Sequence, residues 1–229
     1  MSYRTAVLVF PGSNCDSDLF KAVEQTPELV PEYVWHTTDS LAGFDLILVP
    51  GGFSHGDYLR AGALAARSPV VNALCEVAGR GVLVLGICNG FQVLTESGLL
   101  PGALQRNASL QFVCELPEVE VAAVDTPFTN SCTRGERLRL PIAHGEGNYF
   151  CDKATLAELE RNGQIVFRYA EGQNPNGSLA NIAGITNAER NVLGLMPHPE
   201  RAIAEWMGSA DGQQLFTSAV SFLQNRAHA

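Results

Sequence analysis

A cysteine between two glycines is the clearest chemical signal in this chain of 229 residues. Cys88 is the central residue of Gly-Ile-Cys-Asn-Gly at positions 86–90, after the apolar run Val82–Ile87 and before a segment with helical spacing, Phe91–Glu96. A strand–turn–helix junction of this kind is a nucleophile elbow, in which glycines permit a sharp turn. A cysteine there lies at a helix N-terminus, which favours the thiolate. The sequence therefore predicts that Cys88 is a nucleophile rather than a buried core cysteine.

A histidine flanked by prolines near the carboxyl end of the chain supplies a candidate base. His198 has a proline on each side, and Glu200 follows two positions later. Because proline restricts the backbone, His198 and Glu200 can project in the same direction from an extended segment. The carboxylate would orient one ring nitrogen while the other faces the cysteine, as in a catalytic triad. Alone, His-Pro-Glu could equally be a surface turn; together with Cys88 it predicts a triad, and His55 ranks below His198.

Two consecutive glycines end a third apolar run, Leu46–Val49. The N–H groups of Gly51 and Gly52 are sterically accessible and could hold an oxyanion together with the amide of Asn89. Taken alone, this segment is equally consistent with an ordinary glycine-rich loop.

The elements that must position these residues follow from the apolar patterns. The runs Ala6–Phe10, Leu46–Val49 and Val82–Ile87 are apolar throughout, which is typical of strands buried on both faces. Helical stripes occur at residues 69–78 and 215–223, so we predict a single α/β domain over residues 1–229 with a mostly parallel sheet. Residues 111–124 and 138–142 indicate shorter strands in an antiparallel arrangement, and residues 182–186 and 192–196 indicate a hairpin. In such sheets the active site lies beyond the carboxyl ends of the strands.

Composition and missing motifs exclude several functions. The net charge of −9 disfavours nucleic-acid binding and attachment to an anionic membrane. No apolar run approaches the roughly 20 residues of a membrane span, and the start of the chain does not have the pattern of a signal peptide. The six cysteines are scattered without a C-x-x-C pair, so we expect no zinc site, no disulfide framework and a cytoplasmic location. Three acids, Asp57, Glu146 and Asp152, are interpreted as solvated surface acids rather than metal ligands.

Two motifs carry a resemblance to a known family. Residues 86–92 and His198–Glu200 resemble the nucleophile motif and the His-x-Glu pair of the class I glutamine amidotransferases. Further segments are similar to one member of that family, and the resemblance extends from residue 7 to residue 201; the segments are residues 10–16, 50–63, 106–109, 143–147 and 174–178.

The resemblance implies a flavodoxin-like three-layer α/β/α fold and hydrolysis of glutamine to glutamate and ammonia. The ammonia would pass to a separate synthase subunit that uses ATP and Mg²⁺, with a small third subunit in the complex. No cofactor is expected in this chain, which has neither a phosphate loop nor a dinucleotide fingerprint. The resemblance also implies site residues that bind glutamine, hold the oxyanion or line the site: Gln92, His144 and Gly145; Gly52 and Asn89; and Asn107 and Ser109.

Three alternatives remain open at this level. The ammonia could serve another amidotransferase acceptor, which only the motifs outside the triad disfavour. The chain could be a stand-alone cysteine hydrolase or peptidase, although Gln92 and the Pro-Gly-Gly context speak against it. It could also be a binding module with a vestigial site, which the intact Cys88, His198 and Glu200 disfavour.

Overall fold

A nine-stranded sheet forms the centre of the molecule in the computed structural model, which describes residues 2–227. Five neighbouring strands are parallel, in the spatial order β2 (Leu29–Trp35), β1 (Tyr3–Val9), β3 (Leu46–Val49), β4 (Leu83–Ile87) and β13 (Val192–Leu195). Four antiparallel strands continue the sheet: β12 (Ile182–Thr186), β11 (Ile165–Tyr169), β7 (Glu118–Val121) and β8 (Arg137–Arg139). Two short ribbons pair β5 (Ala103–Gln105) with β10 (Asn148–Phe150), and β6 (Val113–Glu115) with β9 (Ile142–His144).

Five α-helices accompany the sheet in the described chain: α1 (Asp16–Glu24), α2 (Pro69–Gly79), α3 (Asn89–Glu96), α4 (Lys153–Arg161) and α5 (Gln213–Ala227). Helix α2 has proline at its first position, where the missing N–H costs no hydrogen bond, and it buries the predicted apolar stripe. Helix α4 begins after Asp152, whose carboxylate accepts a hydrogen bond from the Thr155 N–H at 2.7 Å. Every residue of β3, β4, β12 and β13 is buried, so both faces of the central sheet are covered.

The register of the parallel strands brings three chain segments to one edge. Val49 of β3 pairs with Gly86 of β4, and Leu195 of β13 pairs with Ile87. The segments that leave the carboxyl ends of β3, β4 and β13 therefore start side by side. These are the segments that contain the glycine pair, Cys88 and His198.

The structure confirms the predicted α/β class, the buried parallel strands and the hairpin. The loop of residues 187–191 joins β12 to β13, and such a short connection requires antiparallel strands. The antiparallel part is larger than the sequence indicated, because β11, which was not predicted, joins β12 to β7 within the main sheet. No helix among residues 2–227 combines the length and the apolar character that crossing a membrane requires.

Candidate active site

Cys88 occupies a strained turn between β4 and α3. Its φ of 50° and ψ of −105° are the type of backbone geometry that a nucleophile elbow requires. Its N–H donates to the Leu195 carbonyl at 2.8 Å, which ties the turn to β13. A Cβ on Gly90 would lie 2.0 Å from the Val49 carbonyl oxygen, so only glycine permits the close approach of α3 to β3. The flanking glycines are thus explained by packing, and the thiol is placed at the start of α3.

His198 and Glu200 form a buried pair just beyond β13. His198 Nδ1 lies 2.6 Å from Glu200 Oε1, and both side chains are at most 1% exposed. The His198 N–H donates to the Pro141 carbonyl at 2.8 Å, which fixes the backbone. Among the described residues, His198 Nε2 and Glu200 Oε2 have no hydrogen-bond partner. Burial lowers the pKa of His198, but the negative charges of Glu200 and Cys88 outweigh it and raise that pKa well above its usual value. The imidazolium form of His198 is therefore favoured.

Gly51 lies between His198, Cys15 and Cys88, and its lack of a side chain allows these three residues to approach one another. A Cβ at this position would lie 2.7 Å from His198 Cε1, 3.1 Å from Cys15 Sγ and 3.4 Å from Cys88 Cβ. Because all three atoms surround the same point, Cys88 and His198 are neighbours across Gly51. The structure thus brings together the three residues predicted to form the triad.

A cavity of about 160 Å³ opens beside the Cys88 thiol. Gly52 lines it, and the Gly52 N–H makes no hydrogen bond within the described chain. The Asn89 N–H follows Cys88 in the first turn of α3, where helical N–H groups have no intrahelical acceptor. These are the two donors that the sequence suggested for an oxyanion. The lining residues are Gly52, Phe53, Asp57, Cys88, Gln92, Phe112, Ala143, His144, Gly145 and Glu146.

Gln92 connects α3 to the opposite wall of the cavity. Its Nε2 donates to the Glu146 carbonyl at 2.6 Å, and its Oε1 accepts from Asn89 Nδ2 at 2.8 Å. The Asn89 Oδ1 in turn accepts from the Ser54 N–H at 3.2 Å. These hydrogen bonds fix the orientation of the Gln92 side chain, which connects two walls of the cavity as well as lining it.

The interpretation of Asp57 and Glu146 as solvated surface acids was wrong. Asp57 and Glu146 both line the cavity that contains Cys88. Burial, and then the charge of Glu146, raise the pKa of Asp57 to about 6. Sequence could not reveal this pairing, because the two residues are far apart in the chain and meet only through the packing of two loops. The third acid, Asp152, caps α4.

Asn107 and Ser109 differ from the expectation that they line the site. Asn107 is fully buried behind the wall, where its Oδ1 lies 3.1 Å from His144 Nδ1. Ser109 is exposed in a surface turn, and its Oγ accepts from the Gln111 N–H at 3.2 Å. Neither residue belongs to the cavity lining. The competing base, His55, is also absent from the lining and packs edge-on against His36, with 5.5 Å between the ring centroids.

Sequence reasoning about the triad missed a second thiol beside it. Cys15 precedes α1 and is 3% exposed, and its sulfur lies 3.1 Å from Arg201 Nη2. Cys15, His198 and Glu200 offer ligand atoms within 4.8 Å of one another, and thiol, imidazole and carboxylate are zinc-binding groups. The Arg201 guanidinium next to the sulfur opposes a divalent cation there. The only signal in the sequence was the position of Cys15 in one of the family-like segments.

Comparison with known proteins identifies the family. The model of the CobB/CobQ-like glutamine amidotransferase domain matches residues 2–223. A phosphoribosylformylglycinamidine synthase subunit PurQ of Rhizobium meliloti (strain 1021) is 54% identical over 96% of this chain and 99% of its own. The corresponding PurQ of Rhizobium etli is 52% identical over 95% and 97%. A chain of the PurLQS structure from Thermotoga maritima has a TM-score of 0.89 and 46% identity, covering 97% of this chain and 100% of that one. This chain therefore belongs to the CobB/CobQ-like glutamine amidotransferase family.

Proposed function

We propose that this chain is the glutaminase subunit of phosphoribosylformylglycinamidine synthase. The observation that carries the proposal is Cys88 on a nucleophile elbow, next to a buried His198–Glu200 pair and open to a small cavity. The two PurQ relatives match nearly the whole chain, which supports the choice of this amidotransferase over others of the family.

In the proposed reaction the Cys88 thiolate attacks the carboxamide carbon of glutamine. The thiolate is stabilised by the His198 imidazolium and by the start of α3. The negative charge that develops on the amide oxygen is held by the N–H groups of Gly52 and Asn89. Removing one such donor typically costs about 2.7–4 kcal/mol of transition-state stabilisation.

His198 then transfers the protons. It donates to the departing nitrogen, so that ammonia leaves and a γ-glutamyl thioester remains on Cys88. The neutral imidazole next removes a proton from water, which attacks the thioester and releases glutamate. Glu200 holds Nδ1 at 2.6 Å throughout, so that Nε2 exchanges the proton with the reacting groups.

The charges of the cavity favour a substrate with an ammonium group. Asp57 and Glu146 are the charged residues of the lining, and both are acids. The α-ammonium of glutamine would neutralise their mutual repulsion, which is one of the causes of the raised Asp57 pKa. A cavity of about 160 Å³ suits one amino-acid side chain better than a peptide. These features support glutamine rather than a protein substrate.

In the proposed complex, partner subunits supply the ATP-dependent synthase activity. A synthase subunit of PurL type binds ATP and Mg²⁺ and converts formylglycinamide ribonucleotide to the amidine in purine biosynthesis. A small PurS-type subunit completes the assembly, which we place in the cytoplasm. The similarity to a chain of the PurLQS structure supports these partners, and this chain itself needs no metal or cofactor for the proposed hydrolysis.

The proposal is tested by separating the glutamine and ammonia reactions in the reconstituted complex. Cys88→Ala should abolish amidine formation from glutamine and leave amidine formation from added ammonia intact. Cys114→Ala changes an exposed cysteine and serves as the matched control, with wild-type rates from both nitrogen donors. Glutamine-dependent synthesis that survives Cys88→Ala would contradict the proposed nucleophile. Failure of the wild-type chain to support amidine formation would instead redirect the function to another acceptor.

A further inference from the structure

A buried polar network lies behind the cavity wall, and its role is not explained by the proposed mechanism. It joins three of the family-like segments, residues 106–109, 143–147 and 174–178. Asn107 and Asn176 are fully buried, and His144 is 3% exposed. Burying such groups is costly unless every polar atom is paired, so their hydrogen bonds define the state of the histidine.

Asn107 determines which atom of the His144 ring carries the proton. Its Nδ2 donates to the Gln111 carbonyl at 2.8 Å and to the His144 carbonyl at 2.9 Å. Its Oδ1 must therefore be the acceptor, which the Gly147 N–H contacts at 3.0 Å. The same Oδ1 lies 3.1 Å from His144 Nδ1. Because an amide oxygen only accepts, Nδ1 must carry a hydrogen.

Asn176 faces the other ring nitrogen with its amide donor. Its Oδ1 accepts from the Ser178 N–H at 3.1 Å, and its Nδ2 donates to the Gly147 carbonyl at 2.8 Å. That Nδ2 also lies 3.5 Å from His144 Nε2 and 3.1 Å from the Tyr169 hydroxyl. A proton on Nε2 would point at a donor, so Nε2 is the bare nitrogen of a neutral ring. Burial, reinforced by the charge of His198, lowers the pKa of His144 to about 4.

The neutral state of His144 matters for the triad because the two histidines interact. A charge on His144 would repel the His198 imidazolium and destabilise its pair with the Cys88 thiolate. Two further ionisable groups, Tyr169 and Glu146, lie close to the network. Burial raises the pKa of Tyr169 above its usual value, and Glu146 is directed towards the Ala61 N–H and Arg106.

We propose that Asn107 and Asn176 are positioning residues that hold His144 as the neutral Nδ1–H tautomer and fix the cavity wall at residues 143–147. The wall is held because both amides bond to Gly147, against which the ring packs: a Cβ there would lie 2.3 Å from His144 Cε1. The inference extends the proposed glutaminase function, since it assigns His144 to the electrostatics of the triad rather than to proton transfer.

The first test is the protonation state of His144 in the full wild-type chain. Nitrogen-15 NMR of labelled histidines should show a protonated Nδ1 and a bare Nε2 for His144 from pH 8 to about pH 5, given its pKa of about 4. An Nε2–H tautomer or an imidazolium at neutral pH would overturn the proposal. This readout needs no enzymatic activity, so its failure is distinct from failure of the proposed glutaminase function.

The second test replaces the neutral acceptor by a charged one of the same shape. In Asn107→Asp a carboxylate would face Nδ1 and should raise the pKa of His144 by roughly 1–3. Because the pKa of His144 would then lie between about 5 and 7, alkylation of Cys88 by iodoacetamide, followed by peptide mass spectrometry, should show a new inflection in that pH range. Below the inflection, where His144 is charged, Asn107→Asp should be alkylated about 3- to 10-fold more slowly than the wild type.

A matched control separates this effect from general destabilisation. Asn191 is likewise buried and donates from Nδ2 to two backbone carbonyls, those of Ala78 and Val82. It directly precedes β13, at the amino ends of the parallel strands, whereas the cavity lies at their carboxyl ends. Asn191→Asp should destabilise the fold without changing the pH profile of Cys88 alkylation. Equal profiles for both variants, or an Asn107→Asp variant whose His144 remains neutral, would refute the positioning role.

Discussion

Adding one methyl group at Gly51 should misalign the triad while leaving the fold intact. The new Cβ would lie 2.7 Å from His198 Cε1, about 0.7 Å short of ordinary contact, and 3.1 Å from Cys15 Sγ. The φ of Gly51 is outside the left-handed region, so alanine can adopt the backbone and the effect is steric. The ring cannot simply retreat, because Glu200 holds its Nδ1 and Pro141 holds its backbone.

The expected magnitude follows from that displacement. A misplacement of about 1 Å can reduce turnover roughly 100-fold, which corresponds to about 2.7 kcal/mol of transition-state stabilisation. Overpacking costs about 1–3 kcal/mol of stability, which is a fraction of the roughly 5–15 kcal/mol that a domain possesses. Gly51→Ala should therefore remain folded at 25 °C and lose about two orders of magnitude in kcat/KM for glutamine.

The assay is glutamate release by the reconstituted complex, with thermal unfolding measured on the same preparation. Gly79→Ala is the matched control, since a Cβ at this last position of α2 meets no atom within 4 Å. It should have wild-type kcat/KM and equal or higher thermal stability, because alanine favours a helix over glycine. A folded Gly51→Ala enzyme within threefold of wild-type kcat/KM would refute the packing argument.

Four further predictions concern the cavity, the His198–Glu200 pair and the nucleophile elbow. Asp57→Asn should raise the glutamine KM roughly tenfold with little change in kcat, since a hydrogen bond to a charged group contributes about 1.5–3 kcal/mol. An unchanged KM in steady-state assays would exclude Asp57 as the partner of the glutamine ammonium group. Because the Asp57 pKa is about 6 and the ammonium needs the carboxylate, the wild-type KM should rise below about pH 6, and Asp57→Asn should lack this rise. Glu200→Gln removes a charge that raises the His198 pKa, so Cys88 alkylation at pH 7 should slow about tenfold or more; a wild-type rate would argue against the pair. Gly90→Ala should unfold at markedly lower temperature, since its Cβ would meet the Val49 carbonyl oxygen at 2.0 Å, and unchanged melting would contradict that close contact.

The features that sequence predicted were encoded locally. The strand, the glycines and the helix around Cys88 are consecutive, so the elbow could be inferred from one segment. His198 and Glu200 are two residues apart between prolines, and their pairing needed only an extended backbone. Uninterrupted apolar runs indicated parallel strands. Because the carboxyl ends of parallel strands lie at one edge of a sheet, the sequence also indicated that the three loops meet there.

The features that sequence missed depend on contacts between distant loops. Asp57 and Glu146 meet because two loops close over the same cavity, and nothing in either local pattern indicates burial. Cys15 lies next to the triad because the turn after β1 brings it there. In that turn Ser13 forms an isolated β-bridge with Gly52. The role of Asn107 was also beyond local reasoning, since its partners come from residues 111, 144 and 147.

The assignment of Cys88 as the nucleophile for glutamine can be tested with a reactive glutamine analogue. The full chain would be incubated with 6-diazo-5-oxo-L-norleucine, alone and with the synthase subunits, and the modified peptide identified by mass spectrometry. We expect one adduct, on Cys88, whose formation glutamine slows and His198→Asn strongly reduces. An adduct on Cys15 or another cysteine, or loss of glutaminase activity with Cys88 unmodified, would contradict the assignment.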